Sequence, residues 1–193
     1  MEKKQKKLSE KSQGCTWPAG DALMQKYHDE EWGVPVHDDK KHFEFLVLDT
    51  FQAGLSWKTI LYRRENFRKA FADFNVVKVA AFSALKIEKL MQDTGIIRNR
   101  LKIVGTVKNA KAFITLQKKY GSFDKFIWQF TGHKTLMNHP KSGKDIPPNS
   151  ALSDAMSKSL KSEGFTFVGS TICYAYMQAA GMINDHLKNC PCK

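Results

Sequence analysis

The stretch TGIIRNRLKIVGTVKNAKAFITLQKKY, residues 94–120, decides how this chain folds. From Asn99 to Tyr120 the apolar residues return every three or four positions. Ile103, Val107, Ala110 and Ile114 fall on one stripe of a long helix, with lysines between them. The same period continues outward in both directions. Asp38 can cap a helix that carries Phe43, Leu46, Val47, Thr50 and Phe51 and ends near Gly54. Ser56 can cap a second, with Ile60, Leu61, Phe67 and Phe71 facing inward. Ser83 can cap a third, with Ile87, Leu90 and Met91, which stops near Gly95. Further helices are expected over 122–130, 151–163 and 171–188, whereas 131–150, with three prolines and two glycines, reads as a loop. The alternation of a half-buried strand is missing, and Thr166–Val168 is a short extended piece at most. The fold class is therefore all-α, without a repeat at solenoid period.

Composition sets the outer bounds. The chain has 193 residues, 42% of them hydrophobic and 11% aromatic, which supplies a packed core and excludes wholesale disorder. At about 150 residues per domain this is one well-buried unit, or two small lobes around a cleft. The formal charge of +12 makes a polyanion a candidate partner. Residues 1–14 hold five lysines and two glutamates and almost nothing apolar. They read as a basic, disordered tail, either solubilising or contacting phosphate, and residues 15–193 as the helical domain, which keeps a charge of +9. No run approaches the ~20 apolar residues of a membrane span, since Thr171–Ile183 is short and contains Gln178. The N-terminal charges lead into no apolar stretch of a secretory signal, and four cysteines are too few for a disulfide scaffold. A cytoplasmic protein with reduced thiols is expected.

Within the decisive stretch, residues 94–100 connect two amphipathic helices. Gly95 allows a tight turn, and Ile96 and Ile97 can anchor it to the core. The amides of Gly95 to Ile97, at the positive end of the next helix, suit a phosphate, and Arg98, Arg100 and Lys102 add charge. The arrangement resembles a helix-hairpin-helix clamp on the DNA backbone; an ordinary connection with solvated arginines fits the same residues.

The ends of the chain carry metal-ligand types. Cys15 and His28 lie thirteen apart near one end, His186 and Cys190 four apart near the other. Residues at i and i+4 share a helix face, so the second pair can point at one ion. Two thiolates and two imidazoles would make a closed structural zinc site. Spacing leaves open that these are unrelated polar residues, and that Cys192 is equally eligible. His37, His42, His133 and His139 lack such partners and read as surface or loop histidines, and Cys173 as a small buried apolar residue.

Several stretches, in order along the chain, make a more specific match. They are Cys15–Trp17, YHDEEWGVP (27–35), FQAGLSW (51–57), GIIRNR (95–100), GFTFVG (164–169), TICY (171–174) and Asn184–His186. Together they resemble the bacterial DNA-3-methyladenine glycosylase I family of the helix-hairpin-helix superfamily. The resemblance implies an all-α fold, with a structural zinc on Cys15, His28, His186 and Cys190 joining the terminal segments. It also implies hydrolysis of the N-glycosidic bond of N3-methyladenine in DNA, leaving an abasic site. Methylation at N3 makes the base cationic and already a good leaving group, so a strong general acid is unnecessary. The protein must extrude the nucleotide, recognise it and favour positive charge at the sugar.

By the same resemblance, Trp17, Tyr27 and Trp57 line the base pocket, where a cationic base stacks well. Gly54-Leu55 enters the gap left by the extruded base. Gly95, Ile96, Ile97, Arg98 and Arg100 hold phosphate. Asp49 and Tyr27 recognise the base and favour its release, and Tyr27 is a candidate hydrogen-bond donor to the Asp49 carboxylate. No lysine stands at a nucleophile position, so strand cleavage through a Schiff base is not expected. The implied partner is double-stranded DNA containing alkylated adenine, met by a monomer without a membrane.

One departure stands out: the family's glutamate before this segment is Asp49 here. Its reach is shorter by roughly 1.3–1.5 Å, one bond's length. Thr50 follows where a small glycine is common. The shorter carboxylate leaves two alternatives open beside the repair enzyme. One is a non-catalytic DNA-binding protein on the same scaffold; the other is a glycosylase retuned to another alkylated base.

Overall fold

The computed structural model describes residues 14–192; of the basic tail read over 1–14, all but Gly14 lies outside the described residues. Ten α-helices are present among them: α1 (Ala22–Glu30), α2 (Asp39–Gln52), α3 (Trp57–Leu61), α4 (Arg64–Ala70), α5 (Val76–Ala80), α6 (Ala84–Gln92), α7 (Arg100–Tyr120), α8 (Phe123–Trp128), α9 (Ala151–Ser162) and α10 (Ser170–Ala179).

Short polar side chains start the helices where the sequence places them. Asp38 accepts from the Lys41 amide, Ser56 from Thr59, Ser83 from Lys86 and Asn99 from Lys102, each satisfying one orphan N–H of a first turn. α2 is the central element. Every residue from His42 to Phe51 is buried, which a helix reaches only when neighbours cover all its faces. α3, α7, α8 and α10 do so. A stack of aromatic rings fills the spaces, including Phe113 on Phe123 (4.0 Å between centroids, 14° between planes) and Phe51 against Phe67 (4.8 Å).

Burying α2 whole also buries Glu44. The Arg64 Nε donates to it at 2.7 Å, and the other two guanidinium nitrogens reach Glu31 at 2.7 and 2.8 Å. This pairing holds both carboxyls below the ordinary range against the opposing effect of burial.

The structure corrects four sequence expectations. The helix expected after Ser56 breaks at Tyr62–Arg63 into α3 and α4. The helix expected over 171–188 ends at Ala179, because Gly181 turns left-handed (φ +67°) and a Cβ there would meet the Val34 carbonyl carbon at 2.2 Å. The chain then runs as β2 (Ile183–Asn184), which pairs in parallel with β1 (Leu136–Met137), so 131–150 is not all loop and a minimal two-stranded ladder accompanies the helices. Thr166–Val168, extended at most by its sequence, forms no strand, as that reading allowed. His42 is no surface residue: it is fully buried, 2.6 Å from the Tyr176 hydroxyl and 3.1 Å from Asp124.

Candidate active site and metal cluster

A cavity of about 180 Å³ opens between the segment before α1, α1 itself, the last turn of α2, the first turn of α3 and α10. Its walls are Trp17, Tyr27, Trp32, Asp49, Gln52, Trp57, Ala175 and Gln178. The rings meet at angles that leave a slot rather than a filled core. Trp17 lies edge-on to Tyr27 (6.3 Å) and to Trp32 (5.4 Å), and Tyr27 is tilted against Trp57 (4.9 Å, 46°). Trp17 is 40% exposed, so this wall stands at the mouth.

Two buried polar atoms of the pocket have no partner among the described residues. Asp49 is 1% exposed and its Oδ2 accepts from no described residue; Trp57 Nε1 is buried and donates to none. Burial alone pushes the Asp49 carboxyl well above the usual carboxylate range. The expected hydrogen bond from Tyr27 is not made: Tyr27 is buried, and burial, reinforced by the nearby Asp49 charge, raises its own pKa so that it stays a neutral phenol. The Thr50 hydroxyl, next in sequence to Asp49, is likewise buried and unpaired among the described residues. Such groups typically cost a fold about 1–3 kcal/mol each, which makes a pocket containing two of them a place built for something else to complete.

Gly54 and Leu55 form the exposed turn between α2 and α3, beside the pocket residues Gln52 and Trp57. Gly54 takes φ +79°, and Leu55 is 41% exposed. The hairpin over 94–99 lies between α6 and α7 with Ile96 buried and Arg98 exposed. Gly95 is not left-handed; a Cβ there would crowd the Asn66 and Asp93 side chains, which would stand 3.0 Å from it. The hairpin's donors are partly engaged. The Gly95 amide donates to Asp93 Oδ1 (2.8 Å) and Arg100 forms two 2.6 Å bonds to Glu88. Lys102 is not mobile charge at all. It is 6% exposed, its Nζ donates to the carbonyls of Phe51 (2.9 Å) and Ala53 (2.6 Å), and burial lowers its pKa.

On the far side of Trp17 and Trp32, Cys15, His28, His186 and Cys190 converge, with ligand atoms all within 4.8 Å of one another. Cys190 Sγ is 3.3 Å from His186 Nδ1 and 3.6 Å from His28 Nε2, and Cys15 Sγ is 3.9 Å from His186 Nδ1. Tetrahedral zinc with bonds of about 2.0–2.3 Å sets ligand atoms about 3.3–3.8 Å apart, so these residues fit the ion. Each imidazole is oriented by its other nitrogen: His28 Nδ1 is 2.6 Å from Asp29, and His186 Nε2 is 2.8 Å from the Trp32 carbonyl. The Leu187 amide donates to Cys15 Sγ. His186 and Cys190 meet through the turn after β2, not along the helix expected there. Cys192, the alternative from spacing, lies against Asp29 at 3.3 Å and forms a second grouping with His28 and Asp29.

Sequence reading passed over Trp32, Gln52, Ala175 and Gln178 as pocket walls. Trp32 and Gln52 stood inside the quoted motifs, and Gln178 was visible as the amide interrupting an apolar run. Ala175 gave no signal.

Comparison with known proteins finds relatives along nearly the whole chain. A family model described as methyladenine glycosylase matches residues 17–193. The chain is 45% identical over 179 residues to the DNA-3-methyladenine glycosylase of Haemophilus influenzae, covering 93% of this chain and 97% of that one. It is 47% identical over 178 residues to DNA-3-methyladenine glycosylase 1 of Escherichia coli, covering 92% and 95%. Among solved structures, one described as the structural basis of 3-methyladenine recognition by 3-methyladenine DNA glycosylase I from Staphylococcus aureus superposes with a TM-score of 0.91 at 35% identity, over 94% of this chain and 97% of that one.

Proposed function

The chain belongs to the methyladenine glycosylase family, and we propose that it is a repair glycosylase that hydrolyses the N-glycosidic bond of N3-methyladenine in alkylated DNA and leaves an abasic site. The observation that carries this is the unpartnered Asp49 carboxyl at the floor of an aromatic slot. A neutral ligand would offer that buried carboxyl no counter-charge. A base with positive charge on its ring supplies the counter-charge that the fold withholds, and draws the carboxyl toward ionisation where water cannot screen the pair. The rings of Trp17, Tyr27 and Trp57 add cation–π attraction.

Each group then has a stated task. Leu55, exposed on the Gly54 turn, fills the stack where the nucleotide has left it. The hairpin around Gly95, Ile96 and Ile97, with Arg98 and with Arg100 released from Glu88, holds the phosphate backbone. Trp57 Nε1 and Asp49 offer one donor and one acceptor to the base edge, and Tyr27 remains a neutral wall. Because the base departs neutral, no strong acid is required, and no pocket-lining residue is a lysine that could form a Schiff base. The shorter Asp49 still reaches the cavity wall, which supports the repair reading over a disabled scaffold.

Zinc on Cys15, His28, His186 and Cys190 would serve as structure, because a closed four-ligand shell leaves no position for an activated water. It would tie the segment bearing Trp17 and the loop bearing Trp32 to the C-terminal residues. A pocket and a ligand set complete within one chain favour a monomer, one connected core favours a single helical unit from residue 15, and four free cysteines favour a reducing cytoplasm.

The test is release of N3-methyladenine from methylated duplex DNA, quantified by chromatography. The parent should release it. Asp49→Asn should lower the rate about 10- to 100-fold, as expected for losing a hydrogen bond to a charged group. A parent that binds this DNA and releases no base would leave the DNA-binding alternative standing; release of a different alkylated base would favour the retuned enzyme.

A further inference from the structure

Gln178, the penultimate residue of α10, lines the base pocket, and its side chain is not free to turn. Its Nε2 donates to Asp185 Oδ2 at 2.8 Å. Asp185 is 1% exposed; the Tyr174 hydroxyl donates to the same oxygen at 2.8 Å, and Asn138 Nδ2 donates to Oδ1 at 2.8 Å. All three neighbours donate to this carboxyl, which orients the NH₂ end of Gln178 toward it. Gln178 Oε1 is then the end left over, with no partner among the described residues. The main chain is also fixed at this point, since the Gln178 carbonyl accepts from the Gly33 amide at 2.9 Å.

We propose that Gln178 Oε1 accepts from the exocyclic amine of the extruded base, and that Asp185, by pinning the amide, makes the pocket select adenine over guanine. This rests on the glycosylase reading above and names the group that would set its base choice. Adenine carries an N6 amine, a donor, where guanine carries O6, an acceptor. A freely rotating amide would serve either base by presenting one end or the other. Here the flip that offers NH₂ to guanine turns Oε1 toward the Asp185 carboxylate, setting acceptor against acceptor inside the fold. Gln178 would touch the base, whereas Asp185 acts through it as a positioning residue.

Duplex DNA treated with dimethyl sulfate presents 3-methyladenine together with 3-methylguanine, so one digest reads both rates. The parent should release 3-methyladenine in large excess. Gln178→Met keeps the length of the side chain and removes the acceptor. It should lower 3-methyladenine release about 10- to 100-fold with a much smaller effect on 3-methylguanine, collapsing the ratio. Asp185→Asn keeps the shape but can face either end of the amide. It should lower the ratio while costing less 3-methyladenine activity than Gln178→Met. Thermal melts and zinc content confirm that each variant is folded, which matters because Asp185 adjoins His186. If Gln178→Met does not fold, Asp185→Asn carries the test alone. A ratio equal to the parent's in folded variants, however low the absolute rates, would overturn the proposal and leave Gln178 a wall. A parent that releases no methylated base would instead sink the glycosylase reading, and the selectivity with it.

Discussion

Asp49→Asn should make the protein more stable, by an amount that grows with pH. Asp49 is fully enclosed, has no donor on Oδ2, and is raised above its ordinary pKa by burial alone. A carboxyl with a raised folded-state pKa binds its proton more tightly in the native state than in the unfolded one. Stability from this group is therefore greatest below the unfolded value near ~3.9 and declines as pH rises toward the folded value. Within that window the parent should lose about 1.4 kcal/mol per pH unit relative to the uncharged amide variant. For a chain of this size the difference in Tm should widen by about 3–6 °C per pH unit. Thermal melts of both proteins at pH 4.5 and 5.5 measure it, and other titrating groups cancel in the difference. A gap that stays constant between the two pH values, or narrows, would refute the claim that Asp49 lacks a partner. Asn lacks the charge that a cationic base needs, so the same variant should be the poorer enzyme, as expected of a residue kept for function against the fold.

Two other consequences are direct. The purified chain should carry about one zinc per molecule by atomic absorption, with Cys15→Ala and Cys190→Ala losing it and Cys192→Ala keeping it; retention after Cys190→Ala would remove that residue from the set. Arg64→Met should destabilise by about 1.5–3 kcal/mol in chemical denaturation, because it removes the three charged hydrogen bonds that Arg64 makes to Glu31 and Glu44 and leaves those carboxylates only Lys41 and Arg68; a loss under about 0.5 kcal/mol would mean that Lys41 and Arg68 suffice for both.

Helix starts were the most legible part of this molecule, because each depends on a short local pattern. Asp38, Ser56, Ser83 and Asn99 all cap where they stand in sequence. Helix ends were harder, since the end of α10 depends on a close approach between Gly181 and Val34, a contact between distant parts of the chain. The same limit governed the site. The aromatic walls and the four metal-ligand types could be named from motifs. Whether Asp49 had a partner, whether Arg100 was free of Glu88, and whether Lys102 faced solvent were questions of tertiary packing. An i, i+4 spacing brought His186 and Cys190 together for the wrong reason: the residues do converge, but through a turn anchored by the Cys15 segment and by the Trp32 carbonyl.

Lys102 shows why a lysine at the start of the hairpin's second helix need not be a DNA contact. Its ammonium closes the C-terminal end of α2 by donating to the carbonyls of Phe51 and Ala53, the place where a helix's negative end favours a cation. Gly54 and Leu55 follow immediately, Gln52 and Asp49 lie within the preceding turn, and the hairpin with Arg98 leads into the helix that carries the lysine. The pocket residues, the Gly54-Leu55 turn and the hairpin thus share one short hydrogen-bonded joint. On the proposed reading, a duplex held at the hairpin would be held near Leu55 and the Asp49 pocket through this joint. Basic charge counted along the sequence treats Lys102 as equivalent to Arg98. The fold separates them, burying one charge where it closes α2 and leaving the other exposed to solvent.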